Sequence, residues 1–78
     1  MSRLRVVKAR YGSAETGADV TKTVRRLVVD GRLIFGVGNG PLGGDPAPNE
    51  LKVLDIEWRV GFKRFRGEFA EGIQVDLP

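Results

Sequence analysis

The 78-residue sequence contains no cysteine and no histidine. Without cysteine the chain has no disulfide, so a domain of this size must be stabilised by its core or by a partner. The absence of cysteine is also typical of intracellular proteins. Without histidine the chain lacks the commonest general base and the commonest zinc-ligating side chain. Ser-His-Asp catalysis, Cys-His catalysis and zinc-finger sites are therefore excluded within these residues.

Long hydrophobic runs are also missing. No stretch approaches the ~20 apolar residues that a membrane-spanning helix requires. Near the start, Arg3, Arg5, Lys8 and Arg10 interrupt the apolar core that a signal peptide needs. The sequence therefore predicts a soluble, intracellular protein without a cleaved N-terminal signal or a transmembrane segment, and it leaves the compartment open.

The composition is that of an ordinary folded domain, because 41% of the residues are hydrophobic and 29% are charged. At this length we expect a single β domain that covers residues 1–78. Thirteen basic residues against ten acidic ones give a formal net charge of +3. This mild excess favours anionic partners without requiring them.

Alternation of apolar and polar side chains predicts strands along most of the chain. The expected strands cover residues 4–11, 32–37, 51–60, 62–69 and 73–77. The last three are joined by short turns, which predicts an antiparallel meander with one apolar face and one charged face. In the last strand we expect Ile73, Val75 and Leu77 to face inward.

The segment after the first strand carries helix and turn signals. Asp19 or Thr21 is a candidate cap for a short helix, and the alternative is a strand at 18–21 followed by one helical turn. Asp30-Gly31 predicts a hairpin turn, because both residues readily adopt positive φ. The apolar face of the helix would consist of Val20, Val24, Leu27 and Val28.

Together these elements predict an all-β fold. We expect a small antiparallel β-sandwich, or a partly open barrel, of five to seven short strands. One short helix or helical turn is expected near residues 20–28.

The stretch from Gly36 to Asn49 holds five of the eleven glycines and three of the four prolines. It is a poor dinucleotide site, because Pro41 stands where glycine or alanine is needed and no helix follows. It is also a poor calcium site, since its acidic residues are few and match no EF-hand spacing. We expect an ordered crossing between two layers, shaped by Gly, Pro and Asx turns. Three loop residues remain candidates for binding at its rim: Asn39, Asp45 and Asn49.

A basic hairpin is the second candidate site. Its predicted ligand-binding residues are Arg59, Phe62, Lys63, Arg64 and Arg66. Basic side chains beside aromatic rings can hold a single nucleic-acid strand by charge and base stacking. The competing interpretation is a solvated charged face above core aromatics, because alternation puts Trp58 opposite Arg59. Phe62 is out of phase, so we expect it to be exposed, and Glu57 and Glu68 are expected to lie across from the basic groups.

Five segments in succession resemble the C-terminal domain of unknown function of mitochondrial DnaJ-like proteins (subfamily C, member eleven). They are "VVKARYG", "DVTKTVRRLVVDGRLIF", "DPAPN", "LKVLDIEWRVG" and "EGIQVDLP", and they span nearly the whole chain. The matching residues are Lys8, Ala9, Tyr11, Gly12, Asp19, Val20, Thr21, Leu27, Val28, Asp30, Leu33, Asp45, Pro46, Lys52, Leu54, Ile56, Trp58, Leu77 and Pro78.

This resemblance implies a protein-interaction module, because the parent proteins are associated with mitochondrial membrane organisation. The family domain has no assigned activity and no catalytic residues to carry over. The present chain has no J domain, whose His-Pro-Asp motif needs a histidine, so co-chaperone activity does not transfer.

Catalysis is not expected. Asp55 and Glu57 form a carboxylate pair on one strand face, but a domain this small offers little pocket depth around them. We therefore expect no enzyme activity, no catalytic residues, no metal and no cofactor. The sequence favours a binding or assembly module for protein–protein contact or self-association through an exposed edge strand. The alternative is recognition of a polar or anionic ligand, single-stranded nucleic acid or glycan, through the basic hairpin or the Gly-rich loop.

Overall fold

The computed structural model describes residues 3–78, so Met1 and Ser2 of the expected domain lie outside the described residues. Within that range the chain forms seven strands and one helix. In chain order they are β1 (Leu4–Gly12), β2 (Gly17–Asp19), α1 (Thr21–Leu27), β3 (Val28–Val29), β4 (Arg32–Gly36), β5 (Val53–Val60), β6 (Lys63–Ala70) and β7 (Gln74–Leu77).

The strands form two antiparallel sheets. The first has four strands in the order β2-β1-β5-β6, and the second has three in the order β3-β4-β7. All strand pairs in both sheets run antiparallel. This confirms the predicted all-β fold with one short helix near residues 20–28, and the described strands do not close into a barrel.

The core lies between the two sheets and the helix. In β5, Leu54 and Ile56 are fully buried while Val53 and Arg59 are exposed, as alternation predicts. Burial of such side chains is the main force that holds a domain of this size together. The core cluster consists of Leu4, Val6, Ala9, Tyr11, Val20, Val24, Leu33, Phe35, Val37, Leu42, Leu54, Ile56 and Val75.

Helix α1 covers an edge of β1 that β2 leaves unpaired. Val20 and Val24 are buried as predicted, whereas Leu27 and Val28 are half-buried against the core and Val28 belongs to β3. The Ala9 N–H donates to Thr21 Oγ1 at 2.9 Å, and Arg25 Nε donates to the Val6 carbonyl at 2.9 Å. Side chains of the helix therefore satisfy backbone groups of the neighbouring strand. With seven residues α1 is short, and no helix within residues 3–78 is long and apolar enough to cross a membrane.

The helix start differs from both predicted alternatives, because neither Asp19 nor Thr21 occupies the cap position and the preceding strand stops before residue 20. Strand β2 ends at Asp19 and the helix begins at Thr21, with Val20 in the cap position. Asp19 Oδ1 accepts a hydrogen bond from the Thr21 N–H at 2.9 Å. The nearby Thr21 hydroxyl and this backbone hydrogen bond lower the pKa of Asp19, because both favour the carboxylate form.

The hairpin turns are where the sequence predicts them. Asp30 and Gly31 have φ values of 52° and 75°, which fit a two-residue turn between β3 and β4. Gly61 has a φ of 62° in the turn between β5 and β6. Both positions require a backbone conformation that glycine adopts easily and that most other residues avoid.

The predicted three-strand meander at the C-terminal end is wrong. Strand β7 pairs with β4 of the second sheet, whereas β6 pairs with β5. After β6 the chain crosses between the sheets, and the Gly72 N–H donates to the Val37 carbonyl at 2.9 Å. Ile73 lies in this crossing before β7 begins and is 51% exposed, so the prediction that it faces inward is also wrong.

Candidate binding surface

Alternation divides the β5–β6 hairpin into two faces. Arg59, Arg64 and Arg66 project from the outer face of the first sheet, which is exposed. Phe62 is fully exposed at the turn and Lys63 follows it, so both lie at the tip. The structure therefore places three of the five predicted hairpin residues on one face and two beside it. Trp58 points to the other face, as predicted, and does not lie among the arginines.

Two of these arginines already have acidic partners. Arg66 Nε and Nη2 donate to the two oxygens of Asp55 at 3.2 and 3.0 Å. Arg64 Nη1 lies 3.4 Å from Glu57 Oε2. The hydrogen bonds from Arg66 hold the pKa of Asp55 below its usual range and raise the pKa of Arg66. Glu57 lies across from Arg66, as predicted, whereas the prediction for Glu68 is wrong, because it lies across from Asp55.

Strand register places Arg5, from the start of the chain, beside two arginines of the β5–β6 hairpin. Arg5 of β1 lies opposite Arg59 of β5, and Arg59 lies opposite Arg64 of β6. We call these three residues the arginine row. Among residues 3–78, neither Arg5 nor Arg59 forms an ion pair with an acidic side chain. Like charges directly opposite each other in a sheet are unfavourable.

A groove of about 590 Å³ runs beside the arginine row. Arg25 of α1 borders it, and its guanidinium is held by the carbonyls of Val6 (Nε, 2.9 Å) and Val7 (Nη2, 3.3 Å). The register of β1 against β5 shifts between Val6 and Lys8, at the place where Arg25 reaches the strand. Sequence reasoning missed Arg5 and Arg25 as site residues, because only strand pairing and helix docking place them next to Arg59.

The inner face of the hairpin is aromatic. Trp58 stacks on Phe65 with ring centroids 5.7 Å apart and an interplanar angle of 17°. Gly67 makes room for these rings, since a Cβ there would lie 3.1 Å from the Phe69 ring and 3.3 Å from the Trp58 ring. Phe65 is nevertheless 42% exposed, and Phe69 is only half-buried. The core therefore leaves part of the aromatic face of β6 uncovered.

The Gly-rich loop is an ordered crossing, as predicted, because it connects β4 of one sheet to β5 of the other. The Tyr11 hydroxyl donates to Asn39 Oδ1 at 2.8 Å, and the Ala47 N–H donates to Asp45 Oδ1 at 3.1 Å. Asn49 is exposed with a φ of 63°. Of the three loop candidates, Asn39 is half-buried and Asp45 is exposed at the rim, while Asn49 is exposed and takes no part in these contacts.

A buried lysine organises this loop. Lys52 Nζ lies 3.0 Å from Asp45 Oδ1 and 3.4 Å from Glu71 Oε1. It also donates to the carbonyls of Ala47 at 3.3 Å and Glu50 at 3.0 Å. We call Tyr11, Asn39, Asp45, Lys52 and Glu71 the Lys52 cluster.

Charge and burial shift two pKa values in the Lys52 cluster. The hydrogen bond to Asp45 raises the pKa of Lys52, because it stabilises the ammonium form. Burial raises the pKa of Tyr11, and the negative charge of Glu71 adds to this. Sequence reasoning missed Lys52, although it is in phase with the buried residues Leu54 and Ile56.

The loop contacts bear on the calcium interpretation. Asp45, one of the few acidic residues of the loop, is bound to the ammonium group of Lys52. Within residues 3–78 no group of three or more Asp or Glu residues is arranged to hold a metal ion.

Comparisons of the chain with protein-family models, with curated proteins and with solved structures found no match. The resemblance to the DnaJ-like C-terminal domain therefore stays a prediction.

Proposed function

We propose that this chain is a non-catalytic assembly module that pairs with a second copy of itself along the outer edge of β6. The observation that carries the proposal is the edge itself. Strand β6 has eight residues, contains no proline and pairs with β5 without a register shift. Its other side has no strand partner among residues 3–78. A long edge of this kind accepts another strand through backbone hydrogen bonds.

The other sheet edges in the described residues are much shorter. Strand β2 has three residues, β3 has two and β7 has four. Short edge strands are a common protection against pairing with another chain. Strand β6 lacks that protection, and its inner side carries the half-covered rings of Phe65 and Phe69.

The hairpin turn determines which backbone groups of β6 face outward. Val60 and Lys63 close a two-residue turn, so they form a hydrogen-bonded pair. Such pairs alternate along an antiparallel ladder. The backbone groups of Arg64, Arg66 and Glu68 therefore point away from β5 and toward a second copy.

A pairing centred on Gly67 fits both faces of the strand. On the outer face Arg66 then lies opposite Glu68 of the second copy, so opposite charges meet twice by symmetry. On the inner face Phe65 lies opposite Phe69 of the second copy. Gly67 at the centre has no side chain to separate the rings, and aromatic pairs of this kind are stabilising. The predicted resemblance to the DnaJ-like domain implies a protein-interaction module, which is compatible with this role.

A charge exchange tests this register. We expect the unmodified chain to show a concentration-dependent mass in sedimentation equilibrium. Glu68→Arg and Arg66→Glu should each weaken the homodimer, because each puts like charges opposite each other. An equimolar mixture of the two variants should dimerise again, since opposite charges then meet at both sites.

Glu15→Arg is the matched control, because it makes the same charge change in the exposed turn after β1. It should dimerise as the unmodified chain does, and circular dichroism should show that all variants fold. A chain that stays monomeric at millimolar concentration would overturn the proposal. So would a mixture of the two variants that stays monomeric while the unmodified chain dimerises.

A further inference from the structure

The side chains of the arginine row and of Arg25 form a second site, whereas pairing along β6 uses only the backbone of one of these residues, Arg64. We propose that these four guanidinium groups bind the phosphate groups of an anionic ligand. The site lies on the outer face of the first sheet, whereas the assembly surface is the edge of β6. The two proposals are therefore independent, and one can fail without the other.

The spacing of the arginine row is the first argument. Adjacent strands of a sheet lie about 4.8 Å apart, so the three arginines fall within roughly 10 Å of one another. Arg5 is opposite Arg59 and Arg59 is opposite Arg64. An anion bound between these side chains would attract each guanidinium and so offset the repulsion among them.

The other cross-strand rows on the outer face of the first sheet differ from the arginine row, because they contain acidic residues. In the next row Glu57 stands between Lys8 of β1 and Arg66 of β6. In the row after that, Asp55 stands between Arg10 and Glu68. Each of these two rows therefore contains at least one carboxylate, whereas the arginine row contains none. There Arg64 alone reaches an acidic side chain, Glu57 in the neighbouring row.

Arg25 is held in a fixed position beside the arginine row. Two of its nitrogens donate to the carbonyls of Val6 and Val7, which holds the guanidinium at the edge of the groove. A guanidinium has five N–H donors, so others remain for a ligand. A group held in place before binding loses less entropy when the ligand arrives. The groove volume of about 590 Å³ accommodates several phosphate groups.

The same geometry favours phosphates over bases. Arginine matches phosphate oxygens with two parallel hydrogen bonds, and several arginines together match a ligand that carries several negative charges. Trp58 and Phe65 lie on the opposite face of the sheet, so they offer no stacking platform beside the row. Binding should therefore depend on phosphate charge and not on base sequence.

The test is an amide NMR titration with two probes, inorganic tripolyphosphate and a single strand of eight thymidines. We expect shifts at the arginine row and Arg25, and an affinity that falls with salt with a slope of roughly −0.7 per phosphate contact for the single strand. Arg59→Gln should weaken binding at least tenfold, by the loss of a charge-assisted hydrogen bond. Arg32→Gln is the matched control, because it removes the same charge from the second sheet.

Each outcome of the titration either supports or overturns the phosphate-site proposal. Binding of tripolyphosphate at the row supports the proposal and identifies a free phosphate chain as sufficient. Binding of the thymidine strand alone also supports it and identifies the phosphodiester backbone as the source. The proposal is overturned if neither probe shifts the row, if shifts centre on residues 38–49, or if Arg32→Gln weakens binding as much as Arg59→Gln. A folded amide spectrum of each variant excludes unfolding as the cause.

Discussion

The two ends of β5 carry positive charge in opposite ways. Lys52 stands immediately before the strand and is buried, with two carboxylates and two backbone carbonyls around its ammonium. Arg59 stands next to the last residue of the strand and is exposed. Its neighbours on both adjacent strands are arginines, and among residues 3–78 it has no acidic partner.

This difference separates a charge that stabilises the fold, on Lys52, from a charge that remains available to a ligand, on Arg59. A buried charge must be paired and hydrogen-bonded, because its desolvation is otherwise too costly. The Lys52 cluster is therefore explained by the fold alone, since it fixes the Gly-rich loop to the sheets. An exposed charge needs no partner, but three adjacent like charges contribute nothing to folding. The arginine row, which does not stabilise the fold, is therefore the better candidate for a binding site.

Replacement of the buried Lys52 tests the N-terminal end of β5 and should have the largest effect on stability. In Lys52→Met the carboxylates of Asp45 and Glu71 lose their common partner, and the carbonyls of Ala47 and Glu50 lose a donor. We expect Tm to fall by roughly 10 °C or more, since breaking such a cluster is among the costlier changes in a small domain. Thermal unfolding followed by circular dichroism measures this.

The control is Lys22→Met, which makes the same substitution at an exposed position of α1. It should leave the free energy of unfolding within about 0.5 kcal/mol of the unmodified chain. If the two variants have the same Tm, the Lys52 cluster does not hold the loop, and the contrast between the two ends of β5 disappears.

Alkaline pH should weaken the same cluster. The folded-state pKa values of Lys52 and Tyr11 are both raised, so the folded chain keeps protons that the unfolded chain has lost. This stability is present below the unfolded pKa values, near pH 10, and is lost as pH rises through the folded ones. Tyr11 is the only tyrosine, so the tyrosinate absorbance reports it directly and should titrate above its ordinary pKa.

Tyr11→Phe separates the hydroxyl from the ring. It removes the hydrogen bond to Asn39 and should lower the free energy of unfolding by about 1 kcal/mol at neutral pH. The variant should also lose less stability than the unmodified chain above pH 10, because one of the two shifted groups is gone. A tyrosinate titration at the ordinary pKa of tyrosine would contradict the buried position of Tyr11.

Local features of the fold were predictable from the sequence, and long-range ones were not. Period-two alternation locates the long strands, and Asp30-Gly31 locates a hairpin turn, because both signals depend on neighbouring residues. The partner of β7 depends on which sheet offers it an open edge, and no local pattern carries that information. This is why the predicted meander was wrong, although the strand itself is nearly where it was expected.

The candidate site follows the same rule. The hairpin residues Arg59 and Arg64 were predictable, because they are close together and alternate with aromatics. Arg5 lies more than fifty positions away, and only the register of β1 against β5 places it beside Arg59. Lys52 did carry a local signal, since it shares the phase of Leu54 and Ile56. Its partners Asp45 and Glu71, however, come from two different loops, which no periodicity connects.

The smallest expected effect has the opposite sign and tests the other end of β5. Arg59→Gln removes the middle charge of the arginine row, so we expect it to raise the free energy of unfolding by about 0.5 kcal/mol at low salt. The gain should disappear near ~1 M salt, where screening reduces the repulsion to contact range. Urea unfolding at the two salt concentrations measures both values.

Arg66→Gln gives the matched contrast. It removes the same charge from the same face, but it breaks the two hydrogen bonds to Asp55 and should therefore lower stability. If Arg59→Gln lowers stability as well, the three arginines do not repel one another in the free chain. The proposal that they form a phosphate site then loses its main support. If Arg59→Gln raises stability and abolishes phosphate binding, the charge of Arg59 destabilises the free chain and contributes to binding of the ligand.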